Sequence, residues 1–385
     1  MTITSPVDTT EADSGPAVEE DGHQQRVTWA ELFYDLVLVF AVTSVAGYAA
    51  EALNPANLGR ALLLLVPFWW GWVGTALLTN NHDEVDSPRT RLRLFALAGA
   101  ILLMAVAAPQ AYGDRGLLFA GGYAAVRVVL LQSSGWHRVT GRLSPYSTAV
   151  FVSSPLYLLG GVLHGNARVV LWALAAVSEL ASPMLFRRRM AGMEFEASHL
   201  PERFGLFQII ALGETVVAIG TQASAAGADA GTVAAAVVAF TLICGLWWTY
   251  FAFGASAVEH ALRTAEVQAQ VVREVLSYGH FALVASIIAT AVGCKYVLRH
   301  PGDPFAGAEL WVLAGGAAGY LATFGYTRWR MFGRPSKTRL PAAGVVLLVA
   351  LAASTAPAVA VLALIAAVVI GLNLLESWLV ATSRF

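Results

Sequence analysis

Charge is scarce in this sequence. Only 13% of its 385 residues are Asp, Glu, Lys or Arg, lysine occurs twice, and the formal net charge is −1. A soluble domain carries roughly a quarter charged residues, so a water-facing globular surface is excluded for most of the chain. The near-zero net charge gives no case for a nucleic-acid partner. Cysteine is nearly absent as well: Cys244 and Cys294 fall in separate apolar runs at different expected depths, which argues against a disulfide or a thiolate metal site. There is no Gly-rich phosphate loop, no HExxH, no paired CxxC and no GxSxG elbow. No metal and no cofactor are therefore expected, and nothing nominates a soluble-type catalytic centre. Residues 1–25 are rich in Ser, Thr, Asp, Glu and Gln and lack the basic start of a signal peptide. They read as a disordered cytoplasmic tail.

What the chain has instead is apolar length. Hydrophobic residues make up 57% of it and the mean hydropathy is +0.64. The expected fold class is an all-α integral membrane protein of about twelve transmembrane helices. They are expected at 28–50, 61–80, 94–112, 117–136, 146–163, 168–186, 203–222, 232–253, 276–298, 307–327, 341–356 and 358–380. The eleventh is short, and Pro357 divides it from the twelfth. Connections after even-numbered spans hold sixteen Arg or Lys residues, and those after odd-numbered spans hold four. The positive-inside rule then places the even connections and both termini in the cytoplasm. The connection at 254–275 shows helical spacing, as a surface helix or as a continuation of the eighth span.

The chain also reads as two parallel six-helix repeats, 26–200 and 201–385. Phe95-Ala96-Leu97, Ile101 and Ala105-Val106 match Phe281-Ala282-Leu283, Ile287 and Ala291-Val292 at identical spacing. Trp69-Trp70-x-Trp72 matches Trp247-Trp248-x-Tyr250, Ala120-Gly121-Gly122 matches Ala314-Gly315-Gly316, and Glu179 matches Glu376. Glu31-Leu32-Phe33 lines up with Glu202-Arg203-Phe204. An even number of spans per repeat gives both halves one orientation, related by an axis along the membrane normal.

Polar residues inside apolar runs carry the remaining signal. Asp35, Arg127, Glu179 and Glu214 lie well within their helices, where ionised groups are costly and often functional. Arg127, near the middle of its run, needs an acidic partner. One cation among three acids leaves excess acid, which favours a protonated carboxyl or a bound cation; a structural ion pair locking two helices is the plainer alternative. Glu31 stacks one turn from Asp35 on the same helix face. Its alignment with Glu202 reads as an interfacial position, whereas Asp35 has no such twin. Glu202 suits a helix N-terminus, and His199 beside it reads as interfacial. His280 reads as a core histidine or the partner of a buried acid, and Glu376 as a side chain reaching the interface. His82, Asp83, Glu84 and Asp86 form either a site for a divalent ion or a balance to nearby arginines.

Three stretches resemble the signatures of the bacterial low temperature requirement protein A family. These are Glu31-Leu32-Phe33-Tyr34-Asp35-Leu36-Val37 with Val39-Phe40-Ala41-Val42, then His199-x-x-Glu202-Arg203-Phe204-Gly205-Leu206-Phe207 with Leu212-Gly213-Glu214, and Trp247-Trp248-x-Tyr250-Phe251. Ala252 and Phe253 follow the third, where the family often has an aspartate. The resemblance implies a bacterial envelope membrane protein linked by name to growth in the cold, and it supplies no activity.

The leading expectation is a transporter- or channel-like protein. Its polar pathway would lie between the halves and use Asp35, Arg127, Glu179 and Glu214 to move a proton, a cation or a small solute, with the lipid bilayer as its surroundings. Two other readings stand beside it. One is a membrane-embedded enzyme acting on a lipid or isoprenoid through His82/Asp83/Asp86 or His199/Glu202. The other is an accessory or sensor protein whose buried charges are structural.

Overall fold

Thr28 and Glu31 start the first helix. The Thr28 hydroxyl accepts from the Glu31 N–H at 3.3 Å, and the Glu31 carboxylate accepts from the Thr28 N–H at 2.9 Å. This reciprocal capping box satisfies two N–H groups that an α-helix leaves orphaned. Similar local chemistry opens other helices. Ser87 and Ser144 cap helices that begin on Pro88 and Pro145. Asp229 accepts from Thr232 and Gly231, and these bonds hold its carboxyl below the usual range.

The computed structural model describes residues 27–80, 87–134, 144–227, 229–252 and 254–382, and among these it is helical with no strand. The helices are α1 Trp29–Glu51, α2 Pro55–Asn80, α3 Pro88–Ala107 and α4 Gly116–Ser133. In α5, Pro145–Thr148 joins Ser154–Val162 through a π segment, Ala149–Ser153. Then come α6 Gly165–Leu185, α7 His199–Ala226, α8 Ala230–Phe251 and the short α9 Gly254–Thr264. Helix α10 runs from Gln268–Val271 through a π segment, Val272–Gly279, into His280–Arg299. The chain closes with α11 Gly307–Phe332, α12 Arg339–Ala352 and α13 Ala358–Ala381.

Each of the twelve apolar runs is mostly helical over its described residues, but only nine helices among the described residues are both long and apolar enough to cross a membrane. The fifth, tenth and eleventh runs fall short of that measure, each for its own reason. In α5, Pro155 has no N–H to continue the ladder, and the Ser154 N–H bonds back to Ala149, five residues away. Helix α11 is long enough but dilutes its apolar residues with Gly, Tyr and Trp. Helix α12 has 14 residues, about 21 Å of rise. The helix of the 254–275 connection is α9; α8 ends at Phe251, and residue 253 between them lies outside the described residues. The outer surface carries exposed Leu, Val, Phe and Trp side chains along most of these helices, a distribution unsuited to water.

Neighbours repeat between the halves. Helix α1 packs on α2 and α3, α3 on α4, α4 on α5, α5 on α6 and α2 on α6. In the second half α7 packs on α8 and α10, α10 on α11, α11 on α12, α12 on α13 and α8 on α13. The halves meet where α1 and α2 touch α7 and α10.

Two glycines set how closely helices approach. A Cβ on Gly122 would meet the Ala100 carbonyl at 3.0 Å and Met104 at 2.7 Å on α3. One on Gly316 would meet the Thr290 nitrogen at 2.6 Å and the Ser286 carbonyl at 2.9 Å on α10. Gly315 has nothing within 4 Å. Gly316→Ala therefore forces backbone apart and is expected to destabilise by about 1–3 kcal/mol. Gly315→Ala should be neutral or stabilising, since alanine favours helix. Thermal melts of both variants in one detergent check the contrast; equal melts would remove the close contact.

Candidate functional site

Four helices bring two separate charge clusters into the interior. The first joins the halves. Arg203 of α7 donates through Nη1 to Glu31 Oε1 at 2.8 Å and to the Thr79 hydroxyl, and through Nη2 to Asp35 Oδ1 at 3.4 Å. Trp72 of α2 donates its indole N–H to the same Asp35 oxygen at 2.7 Å. His199 Nε2 stands 3.5 Å from Glu31, and its Nδ1 is 3.3 Å from the Asn80 amide. Glu31, Asp35, His199 and Arg203 are all fully enclosed. Asp35 Oδ2 has no hydrogen-bond partner, and one turn beyond Phe204 the enclosed Gln208 amide also has none. Two carboxylates face one guanidinium here, and His199 adds positive charge only when protonated. An aromatic wedge backs the cluster: Trp72 meets Phe204 and Phe207 with ring centroids 4.7 and 4.5 Å apart.

The second cluster lies in the first half. Arg127 of α4 and Tyr123, one turn earlier, both donate to the Glu179 carboxylate of α6. Arg127 also donates to the Trp70 carbonyl at 3.2 Å, and its Nε has no partner. Above this pair opens a cavity of about 790 Å³ between α2, α4, α5, α6 and α10. Val73, Leu77, Met190 and Val272 form much of its wall, and Ser134, Ser144 and Arg189 stand at the helix ends around its mouth. Both π segments lie near it: one begins three residues after the lining Tyr146, the other carries Val272, Arg273 and Ser277. Such irregular turns interrupt the i→i+4 ladder and concentrate at functional sites.

The arrangement differs from a single polar pathway through Asp35, Arg127, Glu179 and Glu214. Arg127 and Glu179 pair with each other, while Asp35 belongs to the Arg203 cluster. Glu214 is half-buried in a small cleft with Lys295 of α10, apart from both. Glu31 is enclosed by protein, and while its carboxylate completes the capping box that starts α1 it also accepts from Arg203. His199 is likewise enclosed, whereas Glu202 is exposed on the first turn of α7. His280 pairs with no acid: it bonds to the Tyr250 hydroxyl at 2.9 Å and the Val275 carbonyl at 3.0 Å. Glu376 does not reach outward. Arg339 donates to it twice from Nε and once from Nη2, and Thr338 donates at 2.6 Å. His82, Asp83, Glu84 and Asp86 lie outside the described residues.

Arg203 is the residue that sequence reading passes over, because it falls among the loop arginines. The legible signal is spacing: His199, Arg203 and Phe207 recur every four residues and so share one helix face with a buried phenylalanine. Among the described residues no group of three or more His, Cys, Asp or Glu side chains could hold a metal ion.

Glu31 and Asp35 of the first signature stretch thus meet His199 and Arg203 of the second in one enclosed site. A family model for the bacterial low temperature requirement A protein matches residues 26–374. The chain belongs to that family. It is also 31% identical over 297 residues to an uncharacterized protein of Rhizobium meliloti (strain 1021), covering 74% of this chain and 72% of that one. No solved structure matches it. As a member of the low temperature requirement A family with many membrane-length helices, it is a polytopic membrane protein.

Proposed function

We propose that the protein is transporter-like and takes a solute into the cavity above the Arg127–Glu179 pair. The cavity itself carries the reading. At about 790 Å³ it has the size of a small-molecule site, and it reaches a buried ion pair between helices of membrane length. A structural lock between α4 and α6 would need no such opening.

A twelve-helix body of two parallel six-helix repeats accords with this reading. Six neighbour pairs of the first half recur in the second, while the α2–α4 pair has no such counterpart. The Phe95/Phe281 alignment sets Ala100 and Met104 opposite Ser286 and Thr290, and these are the residues that Gly122 and Gly316 touch. The arginine alternation supports a bacterial inner-membrane topology with both termini in the cytoplasm and the cavity mouth on that side. Excess acid around Arg203, with Asp35 Oδ2 unpartnered, supports a proton held between the halves and coupled to their movement.

Proton flux tests the coupling. Purified protein in liposomes with a trapped pH-sensitive dye, driven by a potassium diffusion potential, is expected to acidify or alkalinise the lumen. Asp35→Asn and Glu179→Gln should each reduce the rate at least tenfold while eluting as folded protein. Full flux in both variants would refute the relay. No flux in the unsubstituted protein would favour the accessory or sensor reading.

A further inference from the structure

The charge balance around the cavity identifies what it would hold. Arg127 and Glu179 cancel each other at the floor, and Glu179 is the one acid among the described lining residues. Arg273, on the π segment of α10, lies in the wall and donates to Glu274 at 2.9 Å. Glu274 is also claimed by Arg330, whose Nε donates to it at 2.6 Å. Two guanidinium groups therefore share one carboxylate, leaving a unit of positive charge at the cavity wall. The Nε groups of Arg127 and Arg273 have no hydrogen-bond partner, although these side chains are only 4% and 8% exposed. Enclosed donors without acceptors are costly, and an anion supplies the acceptors. Apolar walls around a net positive charge strengthen that attraction by lowering the local dielectric. The rest of the lining is dominated by Val, Leu, Met, Pro and aromatic side chains, which suit an apolar body.

We propose that this cavity binds an amphiphilic anion, its carboxylate or phosphate head held by Arg273 and Arg127 and its apolar chain lying along Val73, Leu77 and Met190. The proposal rests on the cavity being the solute site of a transporter-like protein, and it names the class of that solute. A carboxylate could come from a free fatty acid and a phosphate from a lipid headgroup or a phosphorylated alcohol. Both offer the acceptor geometry that arginine matches.

The test uses the full chain in nanodiscs of zwitterionic lipid and four probes with one eight-carbon tail: octanoate, octyl phosphate, octanol and octylammonium. Binding is read by calorimetry and by tryptophan fluorescence, since Trp70 lines the cavity. Saturable binding of octanoate or octyl phosphate, at least tenfold tighter than the neutral and cationic probes, is expected. Whichever anion binds tighter tells the carboxylate source from the phosphate source. Arg273→Gln should weaken anion binding at least tenfold without unfolding the protein, because Arg330 still satisfies Glu274. Leu77→Trp should fill the cavity and remove binding of every probe. Equal affinity across the four head groups, or anion binding unchanged in both variants, would overturn the proposal. Anion binding without octanoate or octyl phosphate uptake into liposomes would keep the site and reject transport. Solute or proton flux without head-group preference would do the reverse.

Discussion

Replacing Arg203 with methionine is expected to lower stability by about 3–5 kcal/mol, the usual consequence of removing one partner from an enclosed ion pair. The reason is the number of groups this one guanidinium serves. Glu31, Asp35 and Thr79 all accept from it, and none of them is open to water. Without it, two carboxylates stand a turn apart with no cation except a protonated His199. They also stand at the seam between the halves, so the loss should separate α1 and α2 from α7. Arg203→Lys should fall between the two, since an ammonium cannot fork to both acids. Melting temperature in detergent and the yield of monodisperse protein measure the effect. The triple variant Glu31→Gln, Asp35→Asn, Arg203→Met should recover most of the loss, because no uncompensated charge remains. A single Arg203→Met variant that melts with the unsubstituted protein would show that the cluster does not hold the halves together.

Arg127→Met is expected to have an effect of similar size, about 3–5 kcal/mol, for the same physical reason. It leaves Glu179 enclosed with only the Tyr123 hydroxyl as donor. Here the double variant separates structure from function. Arg127→Met with Glu179→Leu removes both charges and fills the space with apolar groups, which is often neutral or stabilising. Its melting temperature should return close to that of the unsubstituted protein. Its flux should not, if the pair forms the floor of a working cavity. Recovery of stability and flux together would reduce the pair to a lock between α4 and α6.

Legibility in the sequence followed the range of the interactions concerned. Helices are legible because apolar length and capping are local: Thr28 with Glu31 and Ser87 before Pro88 mark starts without any tertiary information. The partner of Arg127 was half legible. A guanidinium in mid-helix demands an acid, but Glu179 and Glu214 offered themselves at similar expected depth, with Asp35 about a turn nearer the cytoplasm, and only packing of α4 on α6 selects Glu179. Glu376 misleads for the opposite reason. Near a helix end a carboxylate can reach water, and only the approach of Arg339 from the start of α12 turns it inward. The enclosure of Glu31 was not legible, because alignment with Glu202 compares positions along two helices and not the faces they present. Glu202 is exposed and its neighbour Arg203 is enclosed.

The sequence by itself determined that this is an all-helical, multi-pass membrane protein of the low temperature requirement A family. Composition and apolar run length set the solvent each segment tolerates, and its signature stretches are contiguous. Only the tertiary structure decided that Glu31 and Asp35 share Arg203, that Arg127 belongs to Glu179, and that a cavity opens above that pair. Those facts depend on which helix faces meet. Residues far apart in the chain share an enclosed charge only after helix packing has excluded water from between them.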